Sequence, residues 1–161
     1  MRKRTKRKEW ALINPITHAT YQASKLTIAE LNAQRQPVIV ALEQLMQGNW
    51  DKNESWQPMF ECLNRIESLT KLNNVDAKDY ISKAQGVFVA ALSRHEKTGA
   101  RAFKADELAT MREVVEVYSD LIQECSRRQL QEATRHTNAN MDRIVKQKTG
   151  LKVAGCILEP A

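Results

Sequence analysis

ARAFKADELATMREVVEVYSDLIQECSRRQLQEATRHTNANMDRIVKQKT, from Ala100 to Thr149, contains neither glycine nor proline. Leu108, Met111, Val115, Tyr118, Ile122 and Cys125 recur in it three or four residues apart, which puts them on one helical face. One helix from about Asp106 to about Lys146 is expected. With a rise of ~1.5 Å per residue it is roughly 60 Å long, more than the width of a compact domain of this size, so one end should project or serve as a shared spine. Its first half carries an acidic stripe, Glu113, Glu116, Asp120 and Glu124; its second half carries Arg127, Arg128, Arg135, Arg143 and Lys146. There the apolar residues thin to Leu130, Ala133, Thr137, Met141, Ile144 and Val145. Such a stripe suits a partner helix or a second copy of the chain, or else closure by the C-terminal tail. Ser126 and the run Thr137-Asn138-Ala139-Asn140 are the two places where the helix can break.

The rest of the chain reads as further helices. Asn14-Pro15-Ile16 is a start signal, since Asn caps free amides and Pro has none to satisfy; a short helix runs to about Ser24. Thr27 and Glu30 form a capping box. The helix it opens carries Ile28, Leu31, Val38, Leu42, Leu45 and Met46, is kinked by Pro37, and stops at Gly48. Asp51 to Glu54 opens another, with Pro58 in its first turn and Met59, Phe60, Leu63, Ile66 and Leu69 inward. Trp50 and Trp56 are read as core aromatics in preference to a base-stacking platform. After the Asn73-Asn74 turn, Asp76 to Asp79 begins a segment with Tyr80, Ile81, Ala84, Val87, Phe88, Ala91 and Leu92, ending at Thr98-Gly99. As the most apolar stretch, 76–98 is expected to be the central core helix, with Gly86, Ala90 and Ala91 admitting a close neighbour. Leu151 to Leu158 reads as an irregular tail, and period-two alternation is otherwise absent. The expected fold is all-α, a single helical bundle of about five or six helices over residues 10–161, preceded by a basic flexible arm at 1–9.

With 161 residues, 42% apolar and 27% charged, the chain has the length and composition of one globular domain. No apolar run reaches the ~18 residues of a membrane span. Trp10 to Ile13 is too short for a signal-peptide core, so a cytoplasmic protein of a host cell is expected. Cys62, Cys125 and Cys156 are odd in number and scattered, which fits buried reduced thiols. The charge is uneven. Residues 1–8 hold Arg2, Lys3, Arg4, Lys6, Arg7 and Lys8 without an acid; residues 9–125 hold 12 basic and 16 acidic side chains; residues 126–161 hold 7 and 3. The net +6 therefore belongs to the two ends of an acidic body.

No catalytic, cofactor or metal motif stands out. His18, His95 and His136 with the cysteines show no C-x-x-C, H-x-x-x-H or H-E-x-x-H spacing, and the five glycines form no phosphate loop. Glu43, Glu61 and Glu67 lack the Glu-x-x-His pairs of a bundle di-metal site. The expectation is a non-enzyme without cofactors, whose partner-binding residues are Arg2, Lys3, Arg4, Lys6, Arg7 and Lys8 of the arm together with Arg127, Arg128, Arg135, Arg143 and Lys146.

Arg2, Lys3 and Arg4 followed by Asn14-Pro15-Ile16 and His18-Ala19, with Leu42-Glu43, Gly48, Trp56, Leu63-Asn64 and Thr98-Gly99 further on, resemble a family of small uncharacterised helical proteins from proteobacterial prophages and plasmids. The likeness covers most of the chain, its N-terminal motif being the specific part. It implies a mobile-element setting and carries over no catalytic residue. Members are sometimes labelled transcriptional regulators, but no helix-turn-helix with a short glycine-containing turn is visible here. The functional expectation is an interaction protein that docks on a host protein or nucleoprotein complex, such as an inhibitor of CRISPR–Cas defence (an anti-CRISPR). The alternative is a DNA-binding transcriptional regulator whose arm and basic helix end contact phosphates. Self-association is left open.

Overall fold

Six α-helices and no strand make up residues 14–147, the part of the chain that the computed structural model describes: α1 (Pro15–Ala23), α2 (Ile28–Met46), α3 (Gln57–Leu72), α4 (Lys78–Thr98), α5 (Ala105–Glu124) and α6 (Arg127–Gln147). The expected all-α class is the one observed. The expectations for the basic arm and for the tail beyond Gly150 lie outside the described residues.

Local chemistry sets most of the boundaries. Asn14 Oδ1 accepts from the Ile16 amide at 3.0 Å. The Thr27–Glu30 box is complete, the Thr27 amide donating to Glu30 Oε2 at 2.7 Å and the Glu30 amide to Thr27 Oγ1 at 3.3 Å. Pro37 lies inside α2, which continues through it to Met46 and closes on Gly48 at φ 86°. Asp51 Oδ1 accepts from the Asn53 and Glu54 amides at 2.8 Å each, but what it opens is a π-helical turn, Lys52–Trp56, leading straight into α3. That wider turn brings Ser55 and Trp56 inward together, and both are fully buried.

Trp50 and Trp56 are core residues. Their rings meet edge to face at 5.3 Å, Trp50 stacks on Phe103 at 4.8 Å, and Trp50 Nε1 donates to the Leu45 carbonyl at 2.9 Å. Phe60 and Phe88 extend the cluster, edge to face at 5.3 Å. Ile28 and Met46, counted into the apolar face of α2 by their spacing, are instead 79% and 47% exposed at its two ends.

The centre of the bundle is α3, not the 76–98 segment. Packing against α2, α4, α5 and α6 covers α3 on all sides, so that even Asn64, Ser68 and Thr70 are buried along with Met59, Phe60, Leu63, Ile66 and Leu69. α4 buries only Ile81, Ala84, Phe88 and Ala91. Tyr80 and Leu92 pack against the core only in part, and Gly86, Val89 and Ala90 face outward, where a Cβ added at Gly86 would meet nothing within 4 Å and Val89 is 39% exposed. Apolar content alone made α4 look central; the number of covered faces decides otherwise.

The long C-terminal helix is two helices. Cys125 is extended, at φ −78° and ψ 156°, and α6 turns back to pack on α3. At ~1.5 Å per residue, the 20 residues of α5 and 21 of α6 span about 30 Å each, so neither projects. The break is stabilised by a reciprocal cap at Ser126, whose amide donates to Gln129 Oε1 at 2.9 Å while the Gln129 amide donates to Ser126 Oγ at 3.2 Å. As far as Met141 the thin apolar stripe is thus occupied within the chain, and Ile144 and Val145 lie outside the residues whose side chains are described. Leu130, Ala133 and Thr137 are buried, and Thr137 and His136 hydrogen-bond Ser68 of α3 at 2.8 and 3.0 Å.

Two substitutions separate centre from edge. Leu63→Ala should lower unfolding free energy by about 2–5 kcal/mol, because it opens a cavity at the middle of the bundle. Gly86→Ala should raise it by roughly 0.5–1 kcal/mol, as Ala replaces Gly on an open helix face. Urea denaturation measures both; a destabilised Gly86→Ala protein would mean that this face of α4 packs closely after all.

Candidate functional site

Arg127, the first residue of α6, is the most heavily engaged of the cations singled out in the sequence. It donates to both oxygens of Glu30, at 3.2 Å from Nε and 2.6 Å from a terminal nitrogen, to the Lys25 carbonyl at 3.0 Å, and to the Ser24 hydroxyl. Its guanidinium lies over the Tyr21 ring, 4.3 Å from the centroid. The Arg127 amide also donates to the Ser24 carbonyl at 3.0 Å, beside an antiparallel bridge between Lys25 and Ser126. Arg127 therefore clasps the start of α6 to the α1–α2 junction, and its guanidinium is spent on the fold.

This clasp matters most for α1, a nine-residue helix with no buried side chain. Helices of that length are marginal in water without packing. Antiparallel docking on α6 leaves a groove of about 770 Å³ with His18 and Gln22 on the α1 wall and Arg128, Gln129 and Arg135 on the α6 wall. Arg128 is exposed and pairs with Glu132 at 2.9 Å. Arg135 is exposed, with no hydrogen bond or ion pair to another described residue. Gln22 Oε1 is buried and lacks a hydrogen-bond partner.

Of the predicted partner-binding residues, the structure brings Arg128 and Arg135 together. The backbone of α6 runs on past Lys146, 18 residues or about five turns beyond Arg128. Arg143 lies off the Arg128–Arg135 line and is tied to Asn140 at 2.7 Å. Arg2, Lys3, Arg4, Lys6, Arg7 and Lys8 lie outside the described residues. The acidic stripe stays apart, on the exposed face of α5, where Glu124 pairs with Lys25 at 3.0 Å.

Two features at this site and in its support escaped the sequence reading. Tyr21 is 52% exposed, while the other aromatic side chains of the described residues are buried or half-buried. Its place in a helix with an apolar side chain but no buried face is the signal, and only the structure shows that α1 lacks a buried face. The second is an ion pair that joins α4 to α5: Arg94 reaches both oxygens of buried Glu107 at 2.5 and 2.7 Å and the Ala102 carbonyl at 2.8 Å. Among the described residues no group of three or more potential ligands is placed to hold a metal. Cys62 and Cys125 are free and buried, and burial raises both thiols, which keeps them protonated.

The chain matches no family model, no curated protein and no solved structure. No helix of the described residues is long and apolar enough to cross a membrane.

Both carboxylates of the two ion pairs are held below their ordinary value of 4.5, Glu30 first by the Thr27 amide and then by Arg127, Glu107 first by Arg94. A depressed folded-state value stabilises above the unfolded value and is lost as pH falls through the folded one. Stability should therefore hold from neutral pH to about 4.5 and drop below it. Thermal melts between neutral and acid pH should show a shallower acid drop for Glu107→Gln than for the parent. Arg127→Gln should speed amide exchange across 15–24 without altering that of α3, as read by hydrogen exchange.

Proposed function

We propose that this chain is a non-enzymatic interaction protein of phage or plasmid type that docks on a host nucleoprotein through the basic line of α6 and the N-terminal arm. One observation carries the reading. Because α1 runs antiparallel to α6, with Ser24 against Arg127 and His18 across the groove from Arg135, the start of α1 points toward the middle of the basic line. Six peptide steps join Lys8 to Asn14, a reach of at most about 20 Å. The arm is thus within reach of the Arg128–Arg135 wall, whose charge is opposite to that of the α5 stripe. Such a surface attracts phosphates or an acidic protein and steers their approach. The resemblance at the N-terminus supplies the mobile-element setting, for which inhibition of a defence complex such as CRISPR–Cas is the corresponding role.

A DNA-binding regulator is the second reading, favoured by the exposure of Arg128. Against it stands the packing of α6 on α3 through Leu130, Ala133 and Thr137, which leaves the helix attached along its length and without the freestanding geometry of a recognition helix. A tagged pull-down from host lysate separates the two. A protein-containing complex that survives DNase and is lost when residues 1–8 are deleted is the expected result. Recovery of duplex DNA alone, with a steep salt dependence, would establish the regulator instead. Capture undiminished by the deletion would remove the arm from the interface.

A further inference from the structure

We infer that the outward face of α4 pairs with the same face of a second copy of this chain, the two helices running antiparallel about a two-fold axis level with Val87 and Phe88. The inference goes beyond the docking reading and uses no residue of α1 or α6. Four charges set it. Lys78 and Asp79 open α4, and Glu96 and Lys97 stand in its last turn; all are exposed, and none is ion-paired to another described residue. Lys78 and Glu96 are 18 residues apart, as are Asp79 and Lys97, so each pair lies on one line of the helix about five turns long, with opposite signs at its ends. A two-fold axis at mid-helix brings residue i of one copy to residue j of the other, and j to i. Lys78 then meets Glu96 of the second copy, and Asp79 meets Lys97, each pair occurring twice.

The helix dipole accounts for only half of this pattern. It favours Asp79 at the N-terminus and Lys97 at the C-terminus, but it disfavours Lys78 and Glu96 where they stand. A second copy gives both of them partners. Between the charged ends the face is small, with Ser82, Gly86, Ala90 and Ser93, and Val89 lies 39% exposed beside them. The open space at Gly86 lets the helices cross closely, Gly86 against the second copy's Ala90. Lys83, the remaining charge of this face, comes opposite the second copy's Ser93, which carries none. The outward line of α5 fails the same test, since Glu113, Glu116 and Asp120 would meet carboxylates of their own kind. A seam of one helix per copy is at the low end of interface size, so the dimer is weak and forms as concentration rises. Dilute protein is monomeric, and there Gly86→Ala is read on an open face.

Sedimentation equilibrium of the full chain from micromolar to millimolar concentration tests this. A monomer–dimer equilibrium is expected. Glu96→Lys should raise its dissociation constant roughly tenfold, because lysine then faces Lys78 at both ends of the seam, although the same change suits the helix end it occupies. Adding Lys78→Glu reverses both signs and should restore the parent value. Gly86→Gln should abolish the dimer by filling the crossing, while raising the helix propensity of the monomer. Circular dichroism of each variant controls for folding. A chain that stays monomeric at millimolar concentration, a dimer indifferent to Gly86→Gln, or a double variant as weak as Glu96→Lys alone would each overturn the seam, the first of them leaving this face to a partner other than a second copy.

Discussion

The reversal at Cys125–Ser126 is the constraint on which the other contacts depend. Without it the apolar residues of α6 would point into solvent, α3 would lose one of its covering helices, and α1 would have nothing to lie on. The turn is held from both sides. Ser126 and Gln129 satisfy each other's amides at the start of α6, and one residue on Arg127 binds the α1–α2 junction through charge-assisted bonds. A planar fork of donors suits this place because its acceptors come from three residues, Ser24, Lys25 and Glu30, in different orientations. A lysine offers a point charge and would not reproduce them.

Two kinds of seam meet on α3. Toward α5 the contact is mainly apolar, with Met111, Val114, Tyr118 and Ile122 fully buried and Arg65 donating to the Tyr118 hydroxyl at 3.2 Å. Toward α6 it is mixed, with Leu130 and Ala133 joined by the Ser68–Thr137 and Ser68–His136 bonds and by Asn64 Nδ2 at 3.7 Å from Met141 Sδ. Each neutral hydrogen bond contributes only about 1 kcal/mol net, but a buried hydroxyl that misses its partner costs about 1–3 kcal/mol. The mixed seam is therefore modest in strength and strict in register. That strictness places Arg128 and Arg135 on the outside, facing α1, where a purely apolar seam would tolerate rotation of α6 about its axis.

How much of this was legible in the letters depends on the range of the interaction. The caps of α1 and α2 and the Gly48 and Gly99 stops follow from residues a few positions apart and were readable; the core place of both tryptophans was expected from their type, though Phe88 and Phe103, far along the chain, complete it. The break at Ser126 was half readable. Ser126 is one of two places where the sequence allows a break, and what singles it out is that Ser126 and Gln129 stand at the spacing of a capping box, the same signal as Thr27 and Glu30. What could not be read was the order of helices around the core, because Asn64, Ser68 and Thr70 look like surface residues until four neighbours enclose them. The partner-binding set divided for the same reason. Arg127, Arg128, Arg135, Arg143 and Lys146 are alike as letters, and only the arrival of Glu30 and Tyr21 from the far end of the chain turns Arg127 into a structural residue. The exposure of Tyr21 likewise becomes visible only once α1 is seen to lack a buried face.

The clasp between Arg127 and Glu30 joins positions 97 residues apart. During synthesis α1 leaves the ribosome first, at a time when the helix that will hold it has not been made. It has no buried face with which to associate early, and its length does not sustain it alone. Helices α2 to α5 can collapse around α3 in the meantime, since their contacts close shorter loops. α1, the first of the described helices, is thus the last of them to acquire a fixed position, and until α6 is made its Tyr21 ring has no guanidinium to lie against.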